Sequence, residues 1–143
     1  MEWIATGNVA AAFQVMSNEL ATPKIVFCPT DNIHKIATNF SINFGNENVS
    51  YLVGMDAADK FPDSILTGDD NFEIKRVAIK SGMLELTRTT PLAWTEGRHR
   101  FTGNVGLAYG SVETTTDSGL TGALINQYKF STGFTNRFRF AIP

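Results

Sequence analysis

Two short β-type runs, Asn104–Ala108 and Ser111–Thr115, stand on either side of Tyr109–Gly110, and this layout constrains the chain more than any other feature. Strands joined by so short a turn are antiparallel neighbours in one sheet. Alternation then places Val105, Leu107 and Val112 on the inward face, with Asn104 and Glu113 toward water. Tyr109 fits a type I′ turn poorly. The expected solution is a type I turn with Ala108–Tyr109 at its centre and Gly110 left-handed in a glycine bulge.

The rest of the chain supplies a helix and more strands. Val9, Phe13, Met16 and Leu20 recur at helical spacing and predict a helix over 6–20, capped by Thr6 or Asn8 and stopped before Pro23. Lys24–Cys28 reads as a short apolar strand ending at Pro29, and residues 34–48 as a polar, asparagine-rich ordered loop. Val49–Val53 and Ser64–Thr67 read as strands. Ile74–Lys80 and Met83–Thr87 read as a hairpin turning at Ser81–Gly82. Asp117 or Ser118 caps a last short helix through about Tyr128, with Leu120, Leu124 and Ile125 as its apolar side. The expected fold class is α+β, one domain over 1–143, with the first helix on an antiparallel sheet and a short C-terminal helix.

Composition narrows the function. At 143 residues, 43% hydrophobic and 18% charged, the balance is globular. A net charge of −2 leaves no basic field for a polyanion, so nucleic acid is excluded as a partner. No run approaches the ~20 apolar residues of a membrane helix. The single cysteine, Cys28, can neither form an internal disulfide nor supply a thiolate zinc cluster, and reads as a small buried apolar residue.

Few residues suggest chemistry. His99 is the best candidate general base, with Glu96 three residues away and Ser111 across the expected hairpin. The favoured reading is a structural histidine that belongs with Tyr109 and Gly110 to the hairpin. His34, in a polar loop, is expected to be solvated. Asp69, Asp70 and Asn71, joined by Asp56 and Asp59, could offer oxygen ligands to calcium, although such residues are commonplace at turns. Trp94 is expected in the core or at a sheet edge. Gly103–Gly110 lacks the helix and lysine of a phosphate loop. Catalytic and cofactor-binding residues are therefore expected to be none.

Several blocks taken in order carry a resemblance. They are Ser17–Leu20 with Thr22–Lys24, Cys28–Asp31, Asn48–Gly54, Pro62, Leu66–Asn71, Trp94, His99, Gly103–Val112, and Thr135–Arg137 with Pro143. Together they resemble the pilin-like proteins with a prepilin-type N-terminal segment that abound in Verrucomicrobia and Planctomycetes, relatives of type II secretion pseudopilins and type IV pilins. Tyr109 departs from the pattern, which has aspartate before the glycine.

The resemblance implies a non-catalytic subunit of a pseudopilus or pilus-like fibre, anchored in the inner membrane before assembly. It also implies a headgroup that is periplasmic or extracellular in the cell envelope. Partners would be copies of itself or other pseudopilins, joined through a long hydrophobic N-terminal helix. Residues 6–20 would be the C-terminal half of that helix, and the expectation is that its apolar half and leader have been removed. Calcium in a loop, as in major pseudopilins, would fall to Asp69, Asp70 and Asn71. Loops 29–48 and 56–73 would carry further intersubunit contacts. The alternative is a surface-exposed module binding a ligand or polymer through Phe40, Phe44 and Tyr51. A small hydrolase centred on His99 is the third reading.

Overall fold

The computed structural model describes residues 6–130 and 137–143; the start at Met1–Ile4 and Thr135–Asn136 of the terminal block lie outside them. The fold is α+β, with antiparallel sheets and a few short helices. No helix among the described residues is long and apolar enough to cross a membrane.

The expected helix over 6–20 forms in two pieces, α1 (Val9–Val15) and α2 (Ser17–Leu20). Asn8 is the cap, its side chain accepting from the Ala11 amide. Met16 breaks the helix: its amide closes a tight turn onto the Phe13 carbonyl. The break also turns Met16 outward, so of the expected stripe Val9 is buried and Phe13 and Leu20 are half-buried against the same core, with Met16 the one that leaves it.

Pro23–Val26 is a 3-10 turn and not a strand. Thr22 accepts from the Lys24 amide and Pro23 opens the turn, a helix-start signature that outweighs the β-branched composition.

The main sheet contains β1 (Tyr51–Gly54), β2 (Ile65–Asp69), β5 (Gly82–Leu86), β7 (Gly103–Leu107), β8 (Val112–Thr115) and β9 (Phe138–Ile142). Its order is β5-β9-β1-β2-β7-β8. A smaller sheet, order β4-β3-β6, is made from β3 (Phe72–Ile74), β4 (Val77–Ala78) and β6 (Leu92–Trp94).

These pairings replace the expected hairpin at Ser81–Gly82. Lys75 and Arg76, both at positive φ, form a two-residue turn between β3 and β4. β5 instead runs along the full length of β9.

Strand alternation gives the main sheet two covered faces. On one, Leu52, Val105, Phe138, Phe140 and Ile142 pack with Leu120 and Leu124 of α3 (Asp117–Phe130) and with Phe72, Leu92 and Trp94 of the small sheet. On the other, Tyr51, Val53 and Ala141 pack with Val9, Ala10 and Phe13 of α1 and with Phe40 and Phe44 of the loop.

The asparagine-rich loop is ordered as expected, because its side chains supply the bonds its backbone lacks. Asn46 accepts from the Ala10 amide and donates to the Gly7 carbonyl, tying the loop to the start of α1. Trp94 is both core and edge. It lies on an edge strand of the small sheet, 2% exposed, with Nε1 donating to Thr115 Oγ1. Its ring covers Gly103 so closely that a Cβ there would collide with it.

The β7–β8 hairpin has the turn expected of it. The Gly110 amide donates to the Leu107 carbonyl, the Leu107 amide donates to Ser111, and Gly110 sits at φ +98. The inward face differs from expectation at one residue. The bulge pairs Val112 with Gly106 rather than Leu107, a shift of one that turns Val112 out to 71% exposure. Val105 and Leu107 are buried as expected.

Candidate functional site

Polar side chains gather on the α1 face of the sheet, where β1 begins and β2 ends. Three segments meet there, and each is shaped locally. In Cys28-Pro-Thr-Asp31 the Asp31 amide donates to the Cys28 carbonyl, a turn that Pro29 preorganises at its second position. Asp31 Oδ1 then accepts from the Ile33 and His34 amides, holding the next turn. The second segment is the end of β2, where Asp69 is register partner of Tyr51 and Asp70 follows.

The third segment is the loop 95–102. Arg98, Arg100 and Phe101 are all at positive φ, at a cost of roughly 1–3 kcal/mol each. Asn71 holds this loop, its Nδ2 donating to the Gly97 and Thr102 carbonyls and its carbonyl accepting from Thr95. That backbone turns Arg98 inward until its side chain is 3% exposed.

The result is two adjoining clusters. In the first, Arg98 NH2 bridges Asp31 Oδ2, at 2.6 Å, and Asp70 Oδ1. Its NH1 donates to the Ser50 carbonyl, while Nε has no partner among the described residues. Asp31 Oδ2 also accepts from Ser50 Oγ at 2.6 Å and lies 2.7 Å from His34 Nδ1. His34 Nε2 is 3.8 Å from Asp70.

Burial is the largest influence on Asp31 and would raise its pKa. The bonds from Ser50, the Ile33 amide and His34 overcome it and hold the carboxyl at about 2. In Asp70 burial wins, and its pKa is raised despite Arg98 and His34. His34 is therefore not solvated as the sequence suggested; its side chain is 10% exposed inside this cluster.

In the second cluster, His99 Nε2 lies 3.4 Å from Asp69 Oδ2 and 3.6 Å from Cys28 Sγ. Asp69 Oδ2 accepts from the Asn104 amide and side chain, whereas Oδ1 is buried with no partner among the described residues. Cys28 Sγ is 3.2 Å from Thr30 Oγ1. Tyr51 borders both clusters. Burial first, then Cys28 and Asp69 nearby, push its hydroxyl up to about 12.

Beside the first cluster is a groove of about 510 Å³ whose walls include His34, Asp70, Asn71 and Arg98.

The expected site residues are thus redistributed. His99 does not meet Ser111, which lies at the far end of β7 beside the turn. Tyr109 and Gly110 form the hairpin turn, but His99 precedes β7 and addresses Asp69 and Cys28 instead. Asp69, Asp70 and Asn71 do not converge as a calcium loop would require, since Asp69 meets His99, Asp70 meets Arg98 and Asn71 fastens the 95–102 loop. Asp56 is elsewhere, paired with Arg139 at 2.6 Å. Phe40 and Phe44 pack edge to face, 5.0 Å apart, half-buried against the α1 core.

Sequence reasoning missed the partnership of Arg98 with Asp31 and Asp70. Its one local signal was a lone Arg98-His99-Arg100 group beside a glycine.

The geometry is poor for a hydrolytic triad, which needs a histidine that meets nucleophile and carboxylate through different ring nitrogens. His99 meets both through Nε2. The chain matches no protein-family model, no curated protein and no solved structure.

Proposed function

We propose that this chain is a non-catalytic headgroup of a pilin-like fibre in the bacterial cell envelope. The observation that carries the reading is the loop 29–48. It is fixed from beneath by the Asp31–Arg98–Asp70 clamp, yet it turns Ile33, Ile36 and Ile42 outward, at 76%, 54% and 70% exposure. A loop held rigid while displaying isoleucines is suited to being covered by a neighbouring subunit. The arrangement of α1 on one face of the antiparallel sheet also agrees with a pilin-type headgroup. Partners in this reading are further copies or related subunits, and the full-length protein would be membrane-anchored before assembly.

The test is expression from the native gene, followed by a search for prepilin processing and for filaments by electron microscopy. Replacing Ile33, Ile36 and Ile42 by serine should reduce filaments while leaving the circular dichroism of the headgroup unchanged. A mature protein with no upstream apolar segment and no filaments would end this reading.

A second reading, capture of a small polar ligand, rests on the groove bordered by His34, Asp70 and Arg98. Binding without filament formation would favour it.

A further inference from the structure

We propose that Cys28, Asp69 and His99 form a mononuclear zinc site with an open fourth position. It does not depend on the fibre reading.

Three donor types that suit a borderline-soft dication converge here: a sulfur, an imidazole nitrogen and a carboxyl oxygen, all within 4.8 Å of one another. The two separations that involve His99 fit the ion. Zinc–sulfur and zinc–nitrogen bonds of about 2.3 and 2.05 Å require tetrahedral edges of about 3.5 Å from S to N and about 3.4 Å from N to O. The structure gives 3.6 Å from Cys28 Sγ to His99 Nε2, and 3.4 Å from His99 Nε2 to Asp69 Oδ2.

The 3.4 Å between His99 and Asp69 is longer than an ordinary N–H···O hydrogen bond, and a triad would use both ring nitrogens. Here one nitrogen faces two donors at metal-edge distance. The Asp69 side chain is fully buried, and its Oδ1 has no partner among the described residues. A carboxylate buried with one oxygen unmet is costly unless a cation neutralises it. A bound thiolate and carboxylate would neutralise the dication, so the loaded site carries no net charge into the interior.

The supporting shell is also present. The Asn104 amide and side chain orient the Asp69 carboxyl, and Ser50 Oγ accepts from the Cys28 amide. His99 is 27% exposed, the most open of the three, so the fourth position is open to solvent on its side.

The neighbouring Asp31–His34–Asp70 group has suitable donors as well, but there Arg98 already supplies the positive charge between the carboxyls. The metal belongs only to the cluster without an arginine.

The chain should be purified from zinc-supplemented medium, passed through gel filtration and analysed for metal. The expectation is close to one zinc per chain, with a rise in Tm on adding zinc that chelation reverses. Cobalt(II) added to the unaltered apoprotein should give a thiolate-to-cobalt charge-transfer band and d–d bands of tetrahedral intensity. That measurement stands whatever the variants do to folding. Cys28→Ser and His99→Ala should weaken zinc binding by more than about 100-fold, beyond what loss of an outer-shell partner costs. His34→Ala should leave it unchanged. Absence of zinc and of the cobalt–thiolate band, or equal binding after Cys28→Ser, would overturn the proposal.

Discussion

The two polar clusters are built from the same three pieces of chain, yet they solve the problem of buried charge in different ways. The Cys28–Asp31 turn gives one end to each, the Asp69–Asp70 step gives one carboxyl to each, and the Arg98–His99 step gives one side chain to each. In the first cluster a guanidinium fills the space between the carboxyls. In the second an imidazole stands at 3.4 Å from Asp69, and one carboxyl oxygen is left without a partner. A covalently attached cation is always in place, so the first cluster works as a clamp. The second has no such attached cation among the described residues.

The largest way to break this comparison is to remove the attached cation. Arg98→Ala leaves Asp31 and Asp70 buried without their partner and should lower stability by about 3–5 kcal/mol in urea denaturation. A loss below about 1 kcal/mol would show that the first cluster is no more closed than the second.

Acid sharpens the contrast next, and the two carboxyls of the clamp respond with opposite signs. Asp31, held at about 2 against an ordinary value of 3.8, contributes stability that is present above pH 4 and is lost as the pH falls toward 2. Asp70, raised by burial, contributes in the other direction: its share is present below the ordinary value and fades as the pH climbs through its folded pKa. Asp31→Asn should therefore flatten the acid limb of a stability–pH curve, by about 1–2 kcal/mol once solvent screening is allowed for. Asp70→Asn should steepen that limb. An acid limb unmoved by Asp31→Asn would remove that carboxyl from the clamp.

The smallest effects belong to the hairpin turn, which touches neither cluster. Gly110→Ala places a side chain at φ +98 and should cost about 1 kcal/mol. Tyr109→Asp, the residue of the resembling family, should change Tm by an amount corresponding to less than about 0.5 kcal/mol. A larger change at Tyr109 would mean that the turn and the clusters are coupled.

Much of the local structure was legible. The turn at Tyr109–Gly110, the helix from Asp117 and the cap at Asn8 all follow from residues within a few positions of one another. β9 was missed, although Phe138-Arg-Phe-Ala-Ile142 alternates clearly and pairs on both sides. Its signal was present and unread. The partners of β5 and β3 could not be read locally, because Ser81–Gly82 looks as good a turn as Lys75–Arg76. The choice depends on which strand has a free edge to pair with.

The candidate site was less legible than the fold. Cys28 and the two histidines were visible as the only thiol and imidazole groups. Their partners were not, because Cys28 and His99 are 71 residues apart and Arg98 reaches Asp31 across a similar span.

By itself, then, the sequence determined what short-range chemistry controls: caps, turns, the α+β character and the absence of a basic field. Only the tertiary structure decided that a histidine expected in the hairpin faces a cysteine and an aspartate, and that the Asp69–Asp70 pair is divided between two clusters. Turns are set by backbone preferences within about four residues, whereas a buried polar cluster is set by which strand ends meet. Here β1 and β2 meet so that Tyr51 and Asp69 pair, and the strained loop 95–102 turns Arg98 and His99 toward them.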